Sequence, residues 1–351
     1  MNFADALHLL PKVELHCHIE GTMRPATVVD LAQANGIALP PSTTDDLYTY
    51  DNLTGFLEIF WLVQSVLCTS SDWERLAYES IIDGATHQLV YREAFFTPAR
   101  HLAAGQNLAT IVAALDRGLS AAEDESGVRC SLILDFDRAF GPTAARQQAE
   151  ALVALRSGRG AGWERVIGVG MDSTELGIDP AKFGDAYAIA GAAGLRRTAH
   201  QGENSPASAI ATAVDVLGCE RIDHGISLFE DRDLVQRFVD QRIPLTVCPN
   251  ANIRINPDVC PSLPLHVFGR MREAGLLATL NTDDPSLTAL DLTEEYVSVA
   301  GAFGYDWHAM VEVALDGVEG SWLDEADQLA LRNTMIHRAD ELHRDLGTAN
   351  T

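Results

Sequence analysis

Residues 13–21 read VELHCHIEG, with His16 and His18 one residue apart. In a β-strand, residues i and i+2 share a face, so the two imidazoles project side by side into one space. That is chelating geometry, although a histidine pair alone also fits a satisfied core feature or a solvated edge. What decides between these is whether other strands bring similar residues to the same place.

Working outward, KVELHCHI (12–19) is the first of eight short β-type runs. The others are LVYREAFF (89–96), RCSLILDF (129–136), RVIGVGMD (165–172), GLRRTAH (194–200), RIDHG (221–225), IPLTVCP (243–249) and LLATLNTDD (276–284). Stretches with helical apolar spacing separate them, such as 71–88, 107–125, 143–156, 182–193, 206–217 and 230–241, with Gly or a cap-like Ser, Asp or Asn often at their ends. Regular β/α alternation implies a parallel sheet with helices outside it. Eight units permit closure, so the expected fold class is an α/β (β/α)8 TIM barrel. An open doubly wound sheet has the same periodicity. No G-x-G-x-x-G opens a helix after the first strand, however, which removes the usual support for dinucleotide binding.

Additional helices are expected after strand 1, between Arg24 and about Ser71, and at the C-terminus, over 292–304, 306–317 and 323–346. The first insertion contains PPSTTDDL (40–47) and FLEIFWLV (56–63); the latter, apolar at helical spacing, is expected to be core rather than substrate border. No internal repeat, low-complexity tract or linker is visible, so residues 1–351 are expected to form a single domain.

The formal net charge of −25 argues against a nucleic-acid or anionic-membrane partner, because both need a basic surface. No apolar run spans a bilayer and no secretory signal is recognised, so a cytoplasmic location is expected. Six scattered cysteines without a C-x-x-C pair read as reduced, mostly buried thiols, with Cys17 facing away from its flanking histidines. Nothing in the sequence assigns an oligomeric state.

In a parallel barrel, reactive residues gather at the C-terminal ends of the strands. His16 and His18 end the first run, His200 the fifth in TAHQGEN, His224 the sixth in RIDHG, and Asp283 and Asp284 the eighth in NTDDP. Three imidazoles and one carboxylate make a donor set that suits a divalent ion, most often Zn²⁺, so His16, His18, His200 and Asp283 are assigned as ligands of one metal. Such an ion lowers the pKa of bound water from ~15.7 toward ~7, so hydrolytic chemistry follows. Glu203, just beyond His200, is read as a proton donor rather than an ordinary helix-start carboxylate. His224 is either a fifth ligand or the group that orients and deprotonates the water, and Asp284 is free to bond substrate.

Two rivals are tested by composition. A two-metal barrel often bridges its ions through a carboxylated Lys on the fourth strand, but the only lysines are Lys12 and Lys182. The cytidine-type zinc deaminase needs P-C-x-x-C beside H-x-E; His18-Ile19-Glu20 fits the second, and the first is absent.

Taken in order, PKVELHCHIEGTMRP, HQGE, RIDHG, TVCPNAN and NTDDP resemble the adenosine and adenine deaminase family over nearly the whole chain. The resemblance implies a (β/α)8 barrel, one Zn²⁺ per chain and hydrolytic removal of the 6-amino group of a purine base or nucleoside in purine metabolism. It places the zinc ligands on His16, His18, His200 and Asp283, the proton donor on Glu203, the water-orienting histidine on His224 and the substrate-contacting acid on Asp284. Asp172 to Gly177 is expected to meet the other ring edge, with Asp172 a substrate-binding residue. Glu20 is expected either to close the pocket around a bare base or to leave room for a sugar.

VGMDSTELG, RIDHG and IPLTVCP resemble the adenine branch, and LNTDDPSLTALDLTEEY the adenosine branch. Three departures from the family pattern, Gln201, Asn250-Ala251 and Ser286-Leu287, are expected to line or flank the purine site. The alternatives are a one-metal amidohydrolase acting on a modified adenine nucleoside or another aminated heterocycle, and a non-catalytic ligand-binding barrel.

Overall fold

The computed structural model describes residues 1–40 and 47–348; six of the eight residues of PPSTTDDL, 41–46, lie outside the described residues. Each of the eight β-type runs forms a strand: β1 (Lys12–His18), β2 (Leu89–Phe96), β3 (Arg129–Asp137), β4 (Val166–Asp172), β5 in two pieces (Arg196–Arg197 and His200–Gln201), β6 (Ile222–His224), β7 (Leu245–Val247) and β8 (Ala278–Leu280). All pairings are parallel and sequential. The two pieces of β5 join the halves of the sheet: Thr198 N donates to Val169 O at 3.0 Å and Asp223 N to Ala199 O at 2.9 Å.

Closure excludes the open-sheet alternative. Asp283 N donates to His16 O at 3.1 Å and His18 N donates to Asp283 O at 2.8 Å. One step lower, the Asn281 side chain stands in for a backbone partner, its Oδ1 accepting from Leu15 N at 2.7 Å. The seam of the barrel therefore lies between the two strands that carry His16, His18 and Asp283.

The helices follow their capping chemistry. Helix α4 (Ser70–Thr86), after α1 (Phe3–Leu9), α2 (Pro25–Asn35) and α3 (Leu53–Ser65), starts on a Thr69 and Asp72 capping box. Helix α6 (Leu108–Ser126), following the short α5 (Ala99–Ala103), starts on Asn107 and stops at Gly127, whose φ of 76° favours glycine. Helices α4 and α6 cross closely because residue 118 is glycine; a Cβ there would sit 2.2 Å from Glu74 O.

The outer layer continues with α7 (Gly141–Ser157), α8 (Gly184–Ala192), α9 (Ala207–Asp215) and α10 (Arg232–Gln241). Three helices, α13 (Leu292–Phe303), α14 (Trp307–Glu319) and α15 (Glu325–Thr348), then close the chain where the apolar spacing places them. Two short helices had too few residues to show a period: α11 (Pro249–Ile255), directly after β7, and α12 (Phe268–Glu273). Trp73, Phe96, Phe136, Tyr187, Phe238 and Phe268 are fully buried in the core.

All six cysteines are free; five are buried and Cys68 is exposed. No helix among the described residues is long and apolar enough to cross a membrane.

Candidate active site

The strand ends bring four side chains to one point. His16 Nε2 lies 3.0 Å and His18 Nε2 3.4 Å from Asp283 Oδ1, and His18 Nε2 lies 3.0 Å from His200 Nε2. One ligand atom from each of His16, His18, His200 and Asp283 falls within 4.8 Å of all the others, and all four residues are buried. Tetrahedral N/O coordination at about 2.0–2.1 Å sets ligand atoms roughly 3.3–3.4 Å apart, so these spacings suit one divalent ion. Burial lowers the pKa of His16 and His200, which favours the neutral imidazole that ligation requires, whereas His18, equally buried, is pushed well above its ordinary value by the charges of Asp284 and Asp283 beside it. Asp283 is the opposite case: burial opposes its charge, but the adjoining His16, His18 and His224 hold its carboxyl well below the usual range.

Each imidazole has a further group at its other nitrogen. His16 Nδ1 is 3.1 Å from Thr246 Oγ1, His200 Nδ1 is 3.7 Å from Asp223 Oδ2, and His18 Nδ1 is 4.0 Å from Asp135 Oδ2. Such outer partners fix which nitrogen faces a metal. Asp223 is itself held, accepting from Thr198 Oγ1 at 2.8 Å and Thr246 Oγ1 at 2.7 Å. The Phe95 ring forms one wall, 5.1, 5.2 and 5.3 Å from the His16, His18 and His200 rings.

His224 and Asp283 have φ of 65° and 67°, a left-handed conformation that costs a non-glycine residue roughly 1–3 kcal/mol. It turns both side chains toward the cluster: the His224 ring lies 4.6 Å from that of His16 and 5.1 Å from that of His200. His224 Nδ1 is 3.2 Å from Asn252 Nδ2, and the same amide nitrogen donates to Glu203 Oε1 at 3.1 Å. Asn256 Nδ2 donates to that oxygen too, at 2.8 Å. The two asparagines sit on and just past α11, one helical turn apart. Burial, with the charges of Glu175 and Asp283, pushes the Glu203 pKa up to about 8, which favours the protonated carboxyl at neutral pH.

An inner cavity of 60 Å³ adjoins the cluster, lined by His18, His200, His224, Asp283, Asp284, Glu203, Asp172, Ser173, Ile255 and the α3 side chains Leu53, Phe56, Leu57 and Phe60. The expectation that FLEIFWLV is core alone is corrected: Phe56 and Phe60 are buried and also face this cavity. Apolar spacing cannot separate a helix face on the core from one on a pocket, because both are dry.

Asp284 lines the cavity with Oδ1 unpartnered, and burial together with the Asp283 charge raises its pKa well above the carboxylate range. The space it occupies exists because residue 21 is glycine; a Cβ there would lie 1.9 Å from Asp284 Oδ1. Asp172 accepts from Thr97 Oγ1 at 2.5 Å and is pushed up to about 7 by burial and the neighbouring Asp137. Glu20 is fully buried, accepts from Thr97 N at 2.9 Å, and is absent from the residues lining the inner cavity.

The three departures also lie off that lining. Gln201 donates to Glu175 Oε2 at 2.7 Å, Asn250 to Glu295 Oε2 at 2.9 Å, and Ser286 Oγ to Thr22 O at 2.8 Å. Beyond the inner cavity, sharing Leu53, Leu57, Glu203 and Ile255 with it, opens a mouth of 1450 Å³. Sequence reasoning missed Asp223, Asp135 and Asn256, and gave no separate role to Asn252 or Glu175, although TVCPNAN and Asp172 to Gly177 include them. The i, i+4 asparagines after β7 were the most legible of these, since a helix stacks such residues on one face.

A closed parallel barrel with a His/Asp cluster at the carboxyl ends of its strands has the architecture of a metal-assisted hydrolase. The comparisons narrow that class: the model of the adenosine deaminase family matches residues 11–338, and the chain belongs to that family. It is 38% identical over 331 residues to the adenine deaminase of Streptomyces coelicolor, covering 93% of this chain and 95% of that one. Among solved structures, an adenine deaminase from Arthrobacter aurescens aligns with a TM-score of 0.87 at 32% identity, over 93% of this chain and 98% of the other. An amidohydrolase from Burkholderia ambifaria with bound Zn aligns with a TM-score of 0.91 at 30% identity, over 99% and 96% of the two chains.

Proposed function

We propose that this chain is a zinc-dependent adenine deaminase of purine metabolism, converting adenine and water to hypoxanthine and ammonia. The observation that carries the reading is the convergence of His16, His18, His200 and Asp283 beside Glu203, whose Oε1 is held by two asparagine amides and whose pKa is pushed up to about 8 by desolvation. Zn²⁺ held by those four residues would supply, when bound, an activated water at neutral pH. Every other step belongs to the chain.

Glu203 Oε1 is taken up by the two asparagine amides, so the proton resides on Oε2 and passes to purine N1, letting the ring accept the electrons of the attack at C6. His224, anchored through Asn252, orients the attacking water. Asp284, kept neutral by burial and by Asp283, donates to N7, which carries a lone pair in the 9-H tautomer of adenine. The C6 amino group leaves as ammonia and the water oxygen remains as the 6-oxo group. Asp172 borders the ring from the end of β4, and Glu20 supports that wall through Thr97.

A bare base is favoured by the small inner cavity roofed by α3 and by the adenine deaminases among the relatives. The mouth disfavours phosphate: it presents Asp51, Glu58, Glu230 and Asp258 against Arg270, whose guanidinium stacks 4.1 Å from the Phe229 ring. Adenosine is the second reading, supported by the continuity of the inner cavity with the mouth. We further read the chain as a single cytoplasmic domain with no nucleic-acid or membrane partner.

The test is ammonia release from adenine, adenosine and AMP by the purified, zinc-loaded protein. Adenine is expected to turn over fastest and AMP slowest. A higher kcat/KM for adenosine moves the assignment to the nucleoside, and no release from any of them overturns the deaminase reading.

A further inference from the structure

Glu175 lies three residues past the end of β4, is 2% exposed, and is absent from the inner cavity lining. Its carboxylate accepts four bonds from a single loop. Oε1 accepts from Glu203 N at 3.0 Å; Oε2 accepts from Gly202 N at 2.8 Å, from Gln201 Nε2 at 2.7 Å and from Ser205 Oγ. That loop carries the proton donor, and it is tight: Gly202 has a φ of 81°, and a Cβ there would meet Ile210 Cδ1 at 2.4 Å.

The other side of the network is a clamp. Arg138, just past β3, donates to Ser173 O at 2.8 Å, Asp172 O at 3.2 Å, His200 O and Gln201 Oε1. Gln201 thus bridges a cation just past β3 to an anion after β4 by using both ends of its amide. This gives a physical role to one of the three departures from the family pattern.

We propose that Glu175, with Gln201 relaying it to Arg138, is a positioning residue that sets the loop presenting Glu203 to the purine. The inference rests on the deaminase reading of the site. Two backbone N–H groups under the mouth, that of Gly202 buried and that of Glu203 half-buried, need acceptors, and one carboxylate answers both while fixing the angle at which the Glu203 side chain leaves the loop. The same charge stands second only to burial in keeping the Glu203 carboxyl protonated. Also facing Glu203 are Asp283 just past β8, His16 from β1, Asn252 from α11 and Asn256 just past it, with His224 at the end of β6 lining the same cavity.

The experiment is Glu175→Gln, which keeps size but turns one acceptor oxygen into a donor facing donors. A misplaced catalytic group costs up to about 100-fold in rate, so kcat on adenine should fall roughly 10- to 100-fold while KM stays within about 2-fold and bound zinc is unchanged. Independently of turnover, hydrogen exchange at the amides of Gly202 and Glu203 should speed up.

Unchanged kcat and unchanged exchange in the folded, metal-loaded variant would overturn the proposal, as would a rise in KM with kcat intact. Should Glu175→Gln fail to fold, Gln201→Ala leaves the other three donors in place and should show a smaller kcat loss with the same constant KM; no loss there also overturns it. If the parent protein releases ammonia from no 6-aminopurine while loop exchange still rises in the variant, the deaminase reading fails and the loop-setting role of Glu175 stands.

Discussion

Two sets of buried carboxylates share the barrel and are treated in opposite ways. Earlier along the strands, both oxygens of each carboxylate are answered. Glu14 accepts from Arg92 at 2.6 and 2.8 Å and from Thr282 N and Oγ1 at 3.1 and 2.5 Å. Glu93 accepts from Arg221 at 2.5 Å, Trp322 N at 2.6 Å and Tyr91 Oη at 3.2 Å. At the carboxyl ends of the strands, Asp135 has no hydrogen-bond partner for either oxygen among the described residues, and Asp172 Oδ1, Glu20 Oε2 and Asp284 Oδ1 are likewise unpartnered. A buried polar group left open costs free energy, so a cluster of them marks groups held ready for something outside the chain. The lower set holds the barrel together, and the upper set is what the proposed metal and substrate would complete.

The sharpest way to break that comparison is to remove one group from each set and ask what is lost. Glu203→Gln keeps the asparagine contacts to Oε1 but has no proton to give, and general-acid catalysis contributes typically 10²–10⁴-fold. Turnover should fall by about that factor with zinc content and melting temperature near the parent values; loss of metal instead would make Glu203 a ligand. Because the donor acts only when protonated and its folded pKa is near 8, the parent activity should decline on the alkaline side as pH rises through that value.

Arg221→Met should do the reverse. It strips the cation from Glu93, both partners being fully buried, and breaking such a pair destabilises by about 3–5 kcal/mol. Urea unfolding should register that loss, while kcat per folded, metal-loaded molecule stays within about 2-fold. A large kcat effect would mean that the two sets are coupled.

The division also explains what could be read before the structure was known. His16 and His18 were legible because strand alternation is a backbone rule, and His200, His224 and Asp283 because a parallel barrel brings strand ends together. Whether Gln201, Asn250 and Ser286 line the site or only flank it was not legible, for the converse reason. A polar side chain in a strand-end loop can turn to the pocket or to a neighbouring element, and only packing chooses; here they reach Glu175, Glu295 and Thr22. Asp135 and Asp223 escaped notice because a partner to the far nitrogen of an imidazole has no sequence spacing to the histidine it serves; His18 and Asp135 lie on different strands.

Asp135 gives the finest discrimination between the two sets. Residue 170 on the adjoining strand is glycine, where a Cβ would lie 1.9 Å from Asp135 Oδ1, so the fold makes room for a carboxylate that it leaves unbonded. The unpartnered Nδ1 of His18 stands 4.0 Å away. If the open groups of the mouth are completed by metal, ligation at His18 Nε2 strengthens Nδ1–H as a donor and draws Asp135 into the vacant bond. Loss of such an outer partner typically costs 10- to 100-fold in metal affinity. Asp135→Asn, almost unchanged in size, should therefore raise the zinc dissociation constant by about that factor in a chelator competition. Thermal stability of the zinc-free protein should hold or rise, because an uncompensated buried carboxyl has gone. If Asp135 belongs to the structural set instead, the order reverses: the zinc-free protein loses stability and its affinity for zinc is untouched.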